Sequence, residues 1–295
     1  MSVQPIAAAS ERFPPLPDTG PSRRRGRLPF SPWHLLLAPL AAIMLVPLIW
    51  MVIVSLETRQ QATTFPPVLI PSGLHFDNYS AAWNAVPFGR FFINSLLYSL
   101  ATVAGNLLFC SLAAYAFARI RFFGRDVLFV VLLATLMVPF QVILIPTFLI
   151  VKQIGLVDSV GGLIMPNLCS AFGIFMLRQF FRTLPIELEE AARIDGTSRL
   201  GILFKIVLPL SLPALATLGI IQFMWSWNDF LWPLIIIDSQ THAPLQLGLS
   251  QLQGAHFTQW NLLMAGTVMS QIPMLLVFLL AQRWFIRSVA FTGIK

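Results

Sequence analysis

Long apolar runs constrain the fold of this chain more than any other feature of its sequence. Six stretches contain no Asp, Glu, Lys or Arg: residues 33–56, 91–118, 127–151, 159–177, 206–228 and 262–282. About 20 apolar residues are enough for a helix to cross the roughly 30 Å hydrocarbon layer of a bilayer. Only 11% of the residues are charged, against about 25% in an ordinary soluble domain. The sequence therefore predicts an all-α, polytopic membrane protein with six transmembrane helices.

Prolines inside these runs do not exclude helices. They are Pro39, Pro47, Pro139, Pro146, Pro166 and Pro273. In a membrane bundle, neighbouring helices can satisfy the carbonyl groups that a proline frees. The short alternating strands of a membrane β-barrel are not visible in the sequence.

The distribution of basic residues predicts the orientation. If the N-terminus is cytoplasmic, 16 of the 19 Lys and Arg residues fall in inner segments, and only Arg59, Arg90 and Lys152 fall outside. This bias is the one expected of an inner membrane protein, because loops rich in Lys and Arg stay in the cytoplasm. Both termini are therefore predicted to be cytoplasmic in a bacterial inner membrane. The net charge of +7 then reflects topology, and no nucleic-acid partner is expected.

Two regions are expected along the chain. Residues 1–30 are rich in Pro and Arg and lack an apolar period, so they are predicted to form a disordered, basic cytoplasmic tail. Residues 31–295 are predicted to form the transmembrane domain. The first apolar run has 24 residues, longer than the apolar core of a secretory signal peptide. The long outer segments, 57–90 and 229–260, could cover the bundle or receive a delivery protein, and the sequence favours neither.

A charged segment interrupts the apolar pattern between the fourth and fifth spans. The stretch "RTLPIELEEAARIDG" predicts an amphipathic helix of about 12 residues, with Thr183 as its N-cap, Pro185 in its first turn and Gly196 at its end. Gly196 is expected to take a positive φ, which glycine tolerates best. At 100° per residue, one face holds Leu184, Leu188, Ala191 and Ala192, and the opposite face holds Glu189, Glu190 and Arg193. A helix lying on anionic lipid would have basic residues on its polar face. The acidic face instead favours a positively charged protein partner.

The same segment carries a spaced motif. Glu190, Ala191 and Ala192 are followed by Gly196 and, after nine intervening residues, by "IVLP", which gives E-A-A-x3-G-x9-I-x-L-P. With residue frequencies of about 5–10%, seven fixed positions match by chance at about one start in 10⁸. The motif resembles the signature loop of the membrane subunits of bacterial binding-protein-dependent ABC importers. The stretches "LPLSLP" and "WNDFLWPLI" and the tail "RWFIRSVAFTGIK" resemble the carbohydrate-uptake branch, in particular the smaller permease subunit of maltose-type transporters.

This resemblance covers roughly residues 28–295, with the importer core at about 85–285, and it implies a function. The chain would be the transmembrane permease of an importer for a sugar or oligosaccharide. It would work with a second homologous permease in a heterodimer, two ATPase subunits and an extracytoplasmic solute-binding protein. The charged segment would be the coupling helix that docks on the ATPase. The contact residues carried over are Glu190, Ala191, Ala192, Asp195 and Gly196.

Energy is expected to come from a partner. The chain contains no G-x-x-x-x-G-K-[ST] phosphate loop, and none of its lysines follows a glycine. ATP and Mg²⁺ are therefore expected in the ATPase subunit, and no cofactor, metal or enzymatic activity is expected in this chain. Its four histidines are scattered along the sequence.

Polar residues at membrane depth are the best sequence pointers to a substrate path. The residues singled out are Gln222, Asn228, Asp229 and Trp232. A carboxylate beside aromatic rings suits a sugar, although tryptophans are also ordinary anchors at the membrane interface. The resemblance places most sugar contacts in the sister permease.

Two other functions stay open. An ABC permease for glycerol phosphate, an amino acid or a phosphonate would share the motif. An ion-coupled secondary transporter is disfavoured, because that class is typically built from internal repeats and carries ionisable residues within the membrane.

Overall fold

The computed structural model describes residues 33–254 and 258–292, with side chains described as far as residue 280. In these ranges the regular structure is helical, and the β pairing is limited to one isolated bridge between Gln253 and Thr258. The predicted all-α class is confirmed. The tail predicted at 1–30 lies outside the described residues.

The helices are numbered in chain order. They are α1 (Trp33–Ser55), α2 (Asp77–Ala85), α3 (Phe88–Arg119), α4 (Arg125–Thr135), α5 (Phe140–Gln153), α6 (Val160–Ile164), α7 (Ala171–Thr183), α8 (Glu187–Ile194), α9 (Arg199–Ile202), α10 (Leu208–Leu210), α11 (Leu212–Trp227), α12 (Leu231–Ile236), α13 (Leu245–Ser250) and α14 (Trp260–Thr292). Short 3₁₀ turns occur at Gln61–Thr63 and Met165–Asn167, and a π-helical turn at Leu203–Val207 joins α9 to α10.

Three of the six predicted spans are single helices and three are bent. By length and composition, α1, α3 and the Trp260–Leu280 part of α14 can each cross a membrane. The other three spans are helix pairs, with bends of 104° between α4 and α5, 45° between α6 with its 3₁₀ turn and α7, and 82° between α9–α10 and α11. The count reaches six if each bent pair is one span.

Proline explains where two of the breaks fall. Pro139 stands just before α5, and Pro166 lies in the 3₁₀ turn that precedes α7. A proline has no N–H for the helical ladder, and it disfavours helical backbone in the residue before it. Pro146 and Pro273 instead lie inside continuous helices.

The chain divides by its contacts into two compact units, Met1–Pro47 and Leu48–Lys295. The described part of the first unit is the beginning of α1, in which every residue is exposed. Apolar side chains exposed on every side of a helical segment are typical of a surface that lipid or another membrane helix covers.

The second unit is organised around α3, which packs mainly against α7 and α11. Two clusters of buried apolar residues lie along it. The first core includes Phe88, Phe91, Tyr98, Trp227 and Trp232. The second core includes Cys110, Tyr115, Phe181, Ala192 and Leu203. Since Ala192 belongs to α8, the second core attaches this short helix to the bundle.

The long segment predicted between the first two spans contains a helix of its own, α2. The side-chain amide of Asn78 donates to the carbonyls of Ser55 and Glu57 at 2.9 and 2.8 Å. Its carbonyl oxygen accepts from the amide of Asn261 at 2.8 Å. This buried side chain therefore joins α2 to the end of α1 and the start of α14.

Candidate functional site

The charged segment forms helix α8, which is shorter than predicted. It runs for 8 residues, from Glu187 to Ile194, rather than about 12. Thr183 is not its N-cap: it is the last residue of α7, and its hydroxyl donates to the carbonyl of Phe180 at 2.7 Å. The chain after Thr183 is extended at Leu184, so the two helices are separate. The first turn of α8 contains three glutamates. Negative charge there interacts favourably with the positive end of the helix dipole.

The predicted faces of α8 are only partly right, because Glu190 and Arg193 are exposed as expected but the buried side is displaced towards Glu189. Glu189 and Ala192 point inward and are only 1% and 7% exposed. Leu188 and Ala191, predicted on the apolar face with Ala192, are exposed. The reason is an inward charge partner, because the Nε of Arg119 lies 2.7 Å from a carboxylate oxygen of Glu189. A buried carboxylate is tolerated when it is paired in this way.

The exposed side of α8 combines acids with apolar residues. Ile194 is 86% exposed and Leu188 is 44% exposed, while Glu187 and Glu190 are also exposed. A helical wheel assumes that leucine is buried and glutamate is exposed. In α8 this is partly reversed, because Leu188 is exposed and Glu189 is buried.

The end of α8 has the geometry of a Schellman cap. Gly196 has φ of +77°, as expected for a residue that reverses the chain direction after a helix. Its N–H donates to the carbonyl of Arg193 at 3.0 Å, and the N–H of Thr197 donates to the carbonyl of Ala192 at 2.9 Å. Asp195 is the exposed residue just before the glycine. The chain then turns at once into α9, whose N-cap Ser198 accepts from the N–H of Gly201 at 3.2 Å.

The second half of the motif leads back into the bundle. Ile206 lies in the π-helical turn and packs at the edge of the second core. Pro209 follows in α10, before the 82° bend to α11. The residues between Gly196 and Pro209 therefore form the turn after α8, helix α9 and the π-helical turn.

The predicted substrate-path residues do not form one open site in this chain. Gln222 is 4% exposed and Trp232 is 1% exposed. The indole N–H of Trp232 donates to the carbonyl of Gly162 at 3.1 Å, so this side chain packs α12 against α6. Asn228 is exposed, and its amide donates to the carbonyl of Met224 at 2.8 Å.

Asp229 is partly buried and is held by a network that the sequence did not reveal. The hydroxyl of Tyr98 donates to Asp229 Oδ2 at 2.8 Å and accepts from the amide of Asn167 at 3.1 Å. The backbone N–H of Trp232 is 3.3 Å from Asp229 Oδ1. Tyr98 could have been noticed as a hydrogen-bonding side chain in the middle of an apolar span. Nothing in the sequence pairs it with Asp229, which lies 131 positions away.

Within the described residues, no group of three or more His, Cys, Asp or Glu side chains lies together as a metal ion would require.

Comparison with known proteins decides the family. Residues 106–291 match the family described as the inner membrane component of binding-protein-dependent transport systems. The chain belongs to this family. The match includes α8, the complete motif and all the residues carried over from the resemblance. The chain is thus a multi-pass inner membrane permease, from a family of transport proteins rather than a class of enzymes.

Curated relatives are similar over nearly the whole chain. The sn-glycerol-3-phosphate transport system permease protein UgpE of Pectobacterium atrosepticum is 38% identical over 274 residues, covering 90% of this chain and 97% of the relative. The arabinooligosaccharides transport system permease protein AraQ of Halalkalibacterium halodurans is 35% identical over 277 residues, covering 92% of this chain and 99% of the relative.

A solved structure has the same fold. A chain of a bacterial ABC transporter involved in the import of the acidic polysaccharide alginate superposes with a TM-score of 0.75 at 27% identity. The superposition covers 87% of this chain and 99% of that chain. The helical arrangement described above is therefore that of an ABC importer permease.

Proposed function

We propose that this chain is the permease subunit of an ABC importer for a sugar or oligosaccharide. In this proposal a second homologous permease completes the translocation path, and an extracytoplasmic binding protein delivers the solute. Two ATPase subunits bind ATP and Mg²⁺ and supply the energy. The names of the oligosaccharide relative and of the alginate transporter support a saccharide substrate.

The observation that carries the coupling role is the exposed face of α8. Ile194 is 86% exposed and Leu188 on the same helix is 44% exposed, and exposed apolar patches mark surfaces that another protein or a membrane covers. The acids beside these two residues disfavour an anionic lipid surface. A groove in a protein subunit, apolar at its centre and basic at its rim, fits both features.

Burial separates the residues proposed to touch the ATPase from those proposed to act indirectly. Glu190, Ala191 and Asp195 are exposed and can touch the ATPase directly. Ala192 is buried and acts by packing α8 onto the second core. Gly196 acts through its positive φ, which turns the chain back towards α9.

Transport is proposed to proceed by rocking of the two permease halves. Closure of the ATPase subunits on ATP would move α8 of each permease and change which side of the membrane the path opens to. Asn228 and Asp229 remain the residues of this chain proposed to face the path. Gln222 and Trp232, which the sequence also singled out, are buried in packing contacts of this subunit.

Charge favours a neutral saccharide over a phosphate ester. Residues 206–282 contain no Lys or Arg, and Asp229 is the acid among the proposed path residues. Carboxylate and amide groups accept hydrogen bonds from sugar hydroxyls, whereas a carboxylate repels a phosphate. Glycerol phosphate is the second candidate, favoured by the name of the 38% identical relative.

The test is reconstitution of the complete transporter. Partners that copurify with the chain from native membranes are identified by mass spectrometry, expressed and placed in proteoliposomes with ATP on the ATPase side. The expected result is uptake of a labelled neutral saccharide that requires both ATP and the binding protein. Uptake of sn-glycerol 3-phosphate alone would instead support the second candidate. Uptake by the chain alone, driven by an ion gradient, would contradict both.

A further inference from the structure

A largely buried arginine at the end of α3 connects three helices near the proposed coupling site. The Nε of Arg119 lies 2.7 Å from Glu189 on α8, and the two side chains are 10% and 2% exposed. Nη2 of the same guanidinium donates to the carbonyls of Phe181 and Leu184 at 2.8 and 2.6 Å. The first carbonyl lies near the C-terminal end of α7 and also accepts from the N–H of Leu184 at 3.3 Å, and the second belongs to the residue just after α7. One side chain therefore joins the ends of α3, α7 and α8.

The carboxylate of Glu189 has two further polar neighbours. The hydroxyl of Tyr115, also on α3, donates to its Oε2 at 3.2 Å. The guanidinium of Arg193 lies 4.0 Å from the same oxygen and is 48% exposed. Removing one member of a buried ion pair leaves the other charge without compensation. Any movement that separated α8 from the end of α3 would do the same, so α8 cannot easily move alone.

Helix α3 is suited to carry such a movement. It is the longest uninterrupted helix among those with fully described side chains, with 32 residues and no proline. The three helix pairs at the other predicted spans are bent by 45° to 104°. Tyr98, which holds Asp229, lies on α3 some 21 positions before Arg119, a distance of about 30 Å along a helix. The same helix thus contacts α8 at its C-terminal end and a proposed path residue about 30 Å before that end.

We infer that the Arg119–Glu189 ion pair is the mechanical link by which α8 moves α3, so that Glu189 and Arg119 are positioning residues for coupling. This inference rests on the proposed function, because it takes α8 as the element that the ATPase moves. A rigid helix contacting both sites is a physical route for coupling, and the coupling itself is measurable.

The test uses the complete transporter in proteoliposomes and measures solute transported per ATP hydrolysed. The main variant is Glu189→Gln, which removes the charge but keeps the shape, and leaves Arg119 its two backbone carbonyls. Glu189→Asp keeps the charge on a shorter side chain. The matched control is Asp126→Asn, which removes an exposed carboxylate from the ion pair with Arg125 at 3.0 Å on α4.

The expected result separates coupling from folding. Glu189→Gln copurifies with the ATPase and keeps basal ATP hydrolysis, but transport per ATP falls by at least about fivefold, the lower range of ordinary allosteric coupling. Glu189→Asp gives an intermediate ratio, and Asp126→Asn gives the wild-type ratio. Wild-type coupling in Glu189→Gln would overturn the inference. So would transport and ATP hydrolysis that fall together in proportion to the amount of assembled complex.

A milder variant covers the case in which Glu189→Gln does not assemble. Tyr115→Phe removes one hydroxyl from the carboxylate and leaves the ion pair in place, and it is expected to lower transport per ATP less than Glu189→Asp does. If both milder variants assemble and couple like the wild type, the inference is overturned. Failure of the proposed function is a different result, namely a wild-type chain that assembles with no ATPase at all.

Discussion

Replacement of Gly196 by alanine tests whether the turn after α8 matters for coupling. The φ of Gly196 is +77°, and an added Cβ would have no atom within 4 Å. The cost is therefore backbone strain alone, about 1–2 kcal/mol for a non-glycine residue in the left-handed region. This corresponds to a factor of about 5–30 in the equilibrium between the native turn and other conformations. The Schellman hydrogen bonds would be weakened and the exit of the chain towards α9 would be less well defined.

Gly124 provides a matched control. Its φ is +76°, and an added Cβ there would also have no atom within 4 Å. Gly124→Ala should therefore cost about the same 1–2 kcal/mol, but at the start of α4. Asparagine tolerates the left-handed region better than alanine does, so Gly196→Asn should recover part of the loss.

The assay is ATP-driven uptake per assembled chain, with thermal unfolding measured on the same preparations. Both alanine variants are expected to lose similar thermal stability, while only Gly196→Ala loses uptake. Wild-type uptake by Gly196→Ala would refute the assigned role of the turn. An equal loss of uptake in Gly124→Ala would show that the effect is general destabilisation.

Three further outcomes are expected. Ile194→Asp, at a position 86% exposed, should leave membrane insertion unchanged but reduce copurification of the ATPase, as measured by the ratio of the two proteins. Gly248→Ala should lower the melting temperature, because the new Cβ would collide with the ring of Phe91 and overpacking costs about 1–3 kcal/mol. Hydrogen bonds from the backbone and hydroxyl of Ser239 hold the pKa of Asp158 below its ordinary value. The stability advantage of the wild type over Asp158→Asn should therefore be complete above about pH 4 and be lost as pH falls through the lower native pKa, in unfolding scans against pH.

The helical architecture could be predicted from the sequence because a membrane helix depends on a continuous apolar run within one segment of the chain. The six charge-free runs coincide with three helices long enough to cross a membrane and with three bent helix pairs, and Pro139 and Pro166 coincide with breaks. The bend angles depend on packing between helices, which a linear pattern does not contain. The helix α2 was missed because its composition is that of a polar loop, and its anchor, Asn78, bonds with residues 21 to 183 positions away.

For the charged segment, the sequence predicted that a helix forms and that it ends before Gly196, but not which of its sides is buried. Gly196 could be assigned because a positive φ is a property of a single residue. The buried face could not be assigned, because it depends on Arg119, which lies 70 positions before Glu189. A helical wheel assumes that carboxylates face outward, and here a distant guanidinium reverses that preference. The same limit explains why Tyr98 was not linked to Asp229.

The most direct measurement is site-specific photo-cross-linking from position 194. A photoreactive amino acid replaces Ile194 in the transporter assembled in membranes, which avoids interference from the two native cysteines. The account predicts an adduct between this chain and the ATPase subunit, whose yield changes when ATP is added. An adduct with lipid alone, in membranes that contain the intact assembly, would contradict the docking of α8 on the ATPase.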